Sequence, residues 1–168
     1  MQLRAAHQFL RVKRYLKKVR LIAKKQFPEG VDDHVEDEVY AFFLNCHHFK
    51  DWVIEDASLS IAKQTVENFV KKSKCLKICA DLANAHKHCG LDPAKRPKSN
   101  PMPNTTPDLI YPILVHMNLR ISPALLGLEA NIQSDHGEYD YLVLAEECFE
   151  AWVQFLRANS APDAFFKE

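Results

Sequence analysis

Residues 60–88 read SIAKQTVENFVKKSKCLKICADLANAHKH, twenty-nine positions without a glycine or a proline. Those two residues disfavour a helix interior by about 1 and 3 kcal/mol, so their absence leaves helix as the local preference. Ala62, Val66, Phe69, Ser73, Leu76, Ala80 and Ala83 recur every three or four residues, the spacing of one helical face. Two outcomes stay open: one long helix, or two with Ser73 capping the second. Gly90 and then Pro93 stop the segment.

Upstream, Phe9, Val12, Leu16, Val19 and Ala23 predict a helix over about residues 3–26, ended by Pro28 and Gly30. A second helix is expected from Asp32–Asp33 to about Asp56. Glu36, Asp37 and Glu38 suit its electropositive first turn. Tyr40, Phe42, Phe43, Cys46, Phe49 and Val53 supply its apolar face, and Ser58 or Ser60 can cap the next helix. Downstream, residues 92–107 hold five prolines in sixteen positions and predict a long loop. LIYPILVHMNLRI over 109–121 and the alternation at Leu128, Ala130 and Ile132 predict a two-stranded ribbon, followed by a turn at Asp135-His136-Gly137. A last helix over 139–159 buries Tyr141, Ala145, Cys148, Phe149, Trp152 and Leu156. The expected architecture is therefore one mainly all-α domain over 1–168. It is a bundle of four or five helices, with a loop-and-ribbon insertion over 92–137.

A chain of 168 residues that is 47% apolar can bury a core of its own and is not disordered. No apolar run approaches the 18 or so residues of a membrane span, and Met1-Gln2-Leu3-Arg4 does not open like a secretory leader. No membrane association is expected. The five cysteines are odd in number and irregularly spaced. Cys75 and Cys79 are four apart on one helical face, not in a Cys-x-x-Cys pair. Free, mostly buried thiols in the reducing cytoplasm are expected, with no metal and no cofactor.

The net charge of zero hides a split. Residues 1–28 carry nine Lys or Arg and no acid, whereas residues 29–56 carry nine acids and one base, Lys50. Such asymmetry marks either a polyanion-binding face or two neighbouring helices that attract each other.

On a helix, Lys77, Asp81, Asn84 and His88 fall within about 60° of one another. Most of the remaining circumference of that helix is apolar. The preceding helix carries His48, Asp51, Trp52 and Glu55 on one side, with His48 and Asp51 three apart. Antiparallel packing of the two would bring His48, Asp51, Asp81, Asn84 and His88 together. The stripes are then a solvated face, a buried polar network or a ligand site. No Glu-x-x-His or His-x-x-x-His spacing supports a metal centre.

Two strings, Asp81-Leu82-Ala83-Asn84-Ala85-His86-Lys87-His88 and His48-Phe49-Lys50-Asp51-Trp52, resemble the HEPN superfamily of prokaryotic helical bundles. The last helix, from Leu144 through Cys148 and Trp152 to Leu156, adds a weaker likeness. The resemblance implies an RNA-directed protein of a bacterial defence or toxin-type system. It would be a metal-independent ribonuclease or a non-catalytic regulatory module with a protein partner. It also implies a homodimer paired through the motif helices. On it, His88 or His86 would act as general acid and base, oriented by Asn84 and Asp81, with His48 and Asp51 facing them. RNA or another nucleic acid would lie along Lys17, Lys18, Lys24, Lys25 and Lys87. The family's catalytic pattern is Arg-x4-6-His, and here positions 79–83 hold Cys79, Ala80, Asp81, Leu82 and Ala83. The arginine is absent, and with it a stabiliser of the phosphorane. A further reading is a small-molecule or nucleotide pocket between helices, with Trp52 either its stacking wall or a core residue. No GxxxxGK[ST], GxSxG or HExxH motif accompanies it.

Overall fold

The computed structural model describes residues 4–24, 35–87, 116–122, 127–134 and 137–166. The Pro28 and Gly30 stop, the 92–107 loop, and Lys25, His88 and Cys89 lie outside the described residues.

The chain forms a mainly helical bundle. α1 (Arg4–Ala23) and α2 (Val35–Glu55) are its most intimate pair. Their contacts run antiparallel: Ala5 meets Asp56, Gln8 meets Asn45, and Lys18 meets Glu38. The expected apolar faces are the buried ones, with Phe9, Val12, Leu16 and Val19 on α1 and Phe42, Phe43, Cys46, Phe49 and Val53 on α2. A part-buried polar link crosses the middle of this seam. Gln8 Nε2 donates to the Asn45 carbonyl and side-chain oxygens, at 3.3 and 3.2 Å.

The stretch 60–88 resolves into two helices, α3 (Lys63–Lys72) and α4 (Lys74–Lys87). Ser73 is extended, with φ −82° and ψ 117°. Its amide closes α3 on the Phe69 carbonyl, and its Oγ accepts from the Leu76 amide at 3.5 Å. The serine thus caps the second helix. Neither Ser58 nor Ser60 caps α3, whose N-cap is Ala62 without a side-chain bond. Ser58 is occupied elsewhere, since its amide and Oγ donate to Asp56.

Three antiparallel strands precede the last helix: β1 (His116–Ser122), β2 (Gly127–Ser134) and β3 (Gly137–Asp140), in the order β1-β2-β3. The expected ribbon is there as β1 and β2. The third strand takes Gly137 and Glu138–Tyr139, residues that read as turn and helix start. The helix begins later because Asp140 is its N-cap, with Oδ1 accepting from the Val143 amide at 2.9 Å. Ile132 projects from β2 into the core.

α5 (Tyr141–Ala158) closes the bundle against α1, α2 and α4. Trp152 sits edge-on to Phe49 and Phe69, with ring centroids at 4.9 and 5.3 Å. Phe69 stacks on Phe155 at 4.3 Å, and Phe9 stacks on Phe149 at 5.2 Å. Such pairs add about 0.5–1.5 kcal/mol each beyond the area they bury. A short 3-10 turn, Asp163–Phe165, returns Phe165 to the same cluster.

Buried Asp56 holds the ends of α1 and α2 together. Its Oδ2 accepts from the Ala5 amide at 2.9 Å, which satisfies one of the orphan donors of the α1 N-terminus. Burial pushes its pKa up, but the Ser58 hydroxyl, the Ala5 and Ser58 amides and the Arg4 charge outweigh burial. The carboxyl is left below its ordinary value. Asp56→Ala removes a cap and strands a buried N–H, so it should lower unfolding stability by about 2 kcal/mol in a urea melt. The charged form contributes above the ordinary carboxylate range, and that contribution is lost as pH falls through the lowered folded value. Asp56→Asn should lose this acid-dependent part. A variant as stable as the parent would show that the link does not anchor α1.

Candidate functional site

The packing of α1 decides which of its cations face solvent. With Phe9, Val12, Leu16 and Val19 inward, Arg4, His7, Arg11, Arg14, Lys17, Lys18 and Lys24 are exposed on the opposite side. At 1.5 Å per residue this face is about 30 Å long. Lys18 bridges to Glu38 at 2.6 Å, and Arg20 makes a two-pronged contact with Glu146 at 2.5 and 2.7 Å. Arg11 donates to Gln8 Oε1 at 3.0 Å. Arg14 and Lys17 enter no ion pair among the described residues. Among the described residues the charge split therefore gives one bridge from α1 to α2 and one to α5, and exposed bridges of this kind are worth about 0–1 kcal/mol. The remaining cations are presented outward.

Trp52 is not a core residue. It is 39% exposed and lines a cavity of about 260 Å³ with Arg4, Asp51 and Glu55. Arg4 thus belongs both to the basic face and to the wall that holds the indole.

Of the polar constellation, His88 lies outside the described residues, and the crossing of α2 and α4 sets His48 and Asn84 apart. Cys79 Sγ donates to the Phe43 carbonyl at 3.3 Å. Cys75, one turn earlier in α4, accepts at its carbonyl from Cys148 Sγ, which lies within 4.8 Å of the sulfur of Cys46, three residues later in α2. The two helices are therefore antiparallel around this crossing. His48 lies five residues beyond Phe43, and Asn84 five beyond Cys79, in opposite directions. Their axial separation is about 15 Å. His48 and Asp51 are exposed at one end, His48 against the His47 ring, while exposed Asn84 and half-buried Asp81 lie toward the other. His86 and Lys87 occupy the last turn of α4. Of the paired histidines, His47 is the more buried. Burial first, then the charges of Lys50 and His48, lower its pKa to about 4, so it is neutral at physiological pH. The doublet His47-His48 does not say which ring turns inward, and sequence reasoning passed over His47.

The sequence also hid a junction of thiols. Cys46 of α2, Cys79 of α4 and Cys148 of α5 are buried, with sulfurs all within 4.8 Å of one another. Cys148 Sγ donates to the Cys75 carbonyl at 3.4 Å. The four described cysteines are free, and Cys75 is the half-buried one. The i,i+4 spacing of Cys75 and Cys79, with Cys46 and Cys148 on buried stripes, was the available signal. The neighbouring Cys148 and Cys79 sulfurs outweigh burial and, with Trp152, lower the Cys46 pKa. Burial raises Cys79 and Cys148. At Cys75 the Cys148 thiol outweighs burial and, helped by Ser73, lowers the pKa to about 7.

Compared with family models, curated proteins and solved structures, the chain matches none. The likeness to HEPN bundles thus rests on the quoted residues alone. Among the described residues no helix is long and apolar enough to cross a membrane.

A thiol must be both ionised and reachable to react. Of the four described cysteines, Cys75 should therefore be alkylated first by iodoacetamide near pH 7 in the folded protein. Peptide mass spectrometry over a time course would show this. Equal or faster labelling of Cys46, Cys79 or Cys148 would contradict the placement of these thiols.

Proposed function

We propose that the protein is a non-catalytic module that binds single-stranded RNA. Phosphates follow the outer face of α1, and a base stacks on Trp52. One observation carries this reading: the exposed indole of Trp52 shares a cavity with Arg4, the first cation of a basic face on which Arg14 and Lys17 have no acidic partner among the described residues. Proteins that hold single strands combine a cationic track with an aromatic platform. Asp51 and Glu55 beside the indole are hydrogen-bond acceptors and favour bases that present amino groups.

Binding is preferred over ribonuclease action for two reasons. The motif arginine is absent from positions 79–83. The antiparallel crossing also carries His48 and Asp51 away from Asn84. The resemblance to HEPN bundles supports a regulatory role within a two-fold homodimer or beside a protein partner. The free thiols suit the reducing cytoplasm.

Affinity for a short single-stranded RNA should fall with log salt by roughly 0.7 per phosphate contact. Replacing Arg14 and Lys17 by Gln should flatten that slope by about 1.4. The melting temperature should hold, because exposed charges add little stability. Trp52→Ala should weaken binding by about 1–3 kcal/mol. Absence of affinity at low salt would remove the proposal. Cleavage of the RNA by the purified protein would replace the binding module with the ribonuclease reading.

A further inference from the structure

We infer that Cys46, Cys79 and Cys148, with Cys75 at the mouth, form a binding site for a soft d10 metal cation, Zn(II) or Cu(I). This goes beyond RNA binding and uses none of the residues assigned to it. The donor set is entirely sulfur, which selects thiophilic ions over magnesium, calcium or manganese. The sulfurs are already gathered within 4.8 Å of one another, on three different helices. Around a zinc with Zn–S of about 2.3 Å, sulfurs stand about 3.8 Å apart, so each need move inward by only about 0.5 Å.

The indole of Trp152 points the same way. The residue is 1% exposed, and its Nε1 has no hydrogen-bond partner. Trp152 lies one turn beyond Cys148 on α5 and packs edge-on against Phe49 of α2, the helix that carries Cys46. An unpaired buried donor is costly, and a metal-bound thiolate is the acceptor that would satisfy it. Three thiolates around a dication leave a single negative charge, which the indole N–H offsets. On binding, the thiols release their protons to solvent and the sulfur lone pairs go to the metal.

The site has a way in. Cys75 borders an open groove of about 560 Å³ that Glu146, Glu147 and Glu150 also line, together with Lys74. The carboxylates raise the local concentration of cations. From there an ion passes Cys75, whose carbonyl accepts from Cys148 Sγ, to reach the buried trio.

The test uses the full chain, reduced and metal-free, titrated with Cd²⁺ as the probe. One equivalent should give the ultraviolet sulfur-to-cadmium charge-transfer band, release protons to the solution and raise the melting temperature. Zn²⁺ or Cu(I) should displace the probe, and which one does so identifies the ion. Cys79→Ala should abolish the band, while Cys75→Ser should keep it. A folded wild-type protein that shows no band at saturating Cd²⁺ would overturn the proposal, and this readout needs no variant. A band that Cys79→Ala leaves unchanged would overturn it equally.

Discussion

The Asp56 carboxylate spans fifty-one residues of sequence to accept a hydrogen bond from the Ala5 amide. It lies just beyond the end of α2 and Ala5 lies in the first turn of α1, so the bond sets where the two helices start against each other. Gln8 with Asn45 and Lys18 with Glu38 then fall in register along the antiparallel pair. Rotating α1 by one residue, about 100°, would turn Phe9 and Leu16 toward solvent and draw cations into the core. Burying an unpaired ammonium or guanidinium is prohibitive. The same register that buries the apolar stripe therefore presents Arg14 and Lys17 outward, and it sets Arg4 beside Trp52. Fold and candidate interface both depend on one constraint.

A second constraint lies at the other side of α2. Cys46, Cys79 and Cys148 stand where α2, α4 and α5 cross, and their small side chains let three helices approach. Larger groups surround them: Phe43 and Phe49 on α2, Trp152 on α5 and Leu82 on α4 are all buried. Alanines would permit the same approach and would leave no polar atoms. Cysteine at all three positions brings thiols in mutual contact, with Cys46 lowered by its neighbours and Cys79 and Cys148 raised first by burial. The chemistry of this junction is thus collective, which no single cysteine in the sequence would suggest.

The helices were legible because their apolar residues keep a 3.6-residue period, and the inward faces of α1, α2 and α5 match that reading almost residue for residue. The break at Ser73 was one of two open outcomes, since propensity alone does not separate a continuous helix from a capped pair. The third strand was missed because Asp140 outweighed the helical character of Glu138 and Tyr139 by acting as the cap. The separation of His48 from Asn84 was not legible for a different reason. Helical phase says which residues share a face, but not where along its length one helix meets another. The α2–α4 crossing lies at Phe43 and Cys79, and that sends His48 and Asn84 apart. The same ignorance of crossing points hid the thiol junction and the exposure of Trp52.

The proposed function rests on the surface of α1. Its most direct test is a two-dimensional NMR titration of the labelled protein with a short single-stranded RNA at low salt. Shifts should concentrate at Arg11, Arg14, Lys17 and Lys18, and at the Trp52 indole N–H, with Asn84 and the α5 groove residues unmoved. Shifts confined to Asp81, Asn84 and the end of α4, with α1 silent, would contradict it.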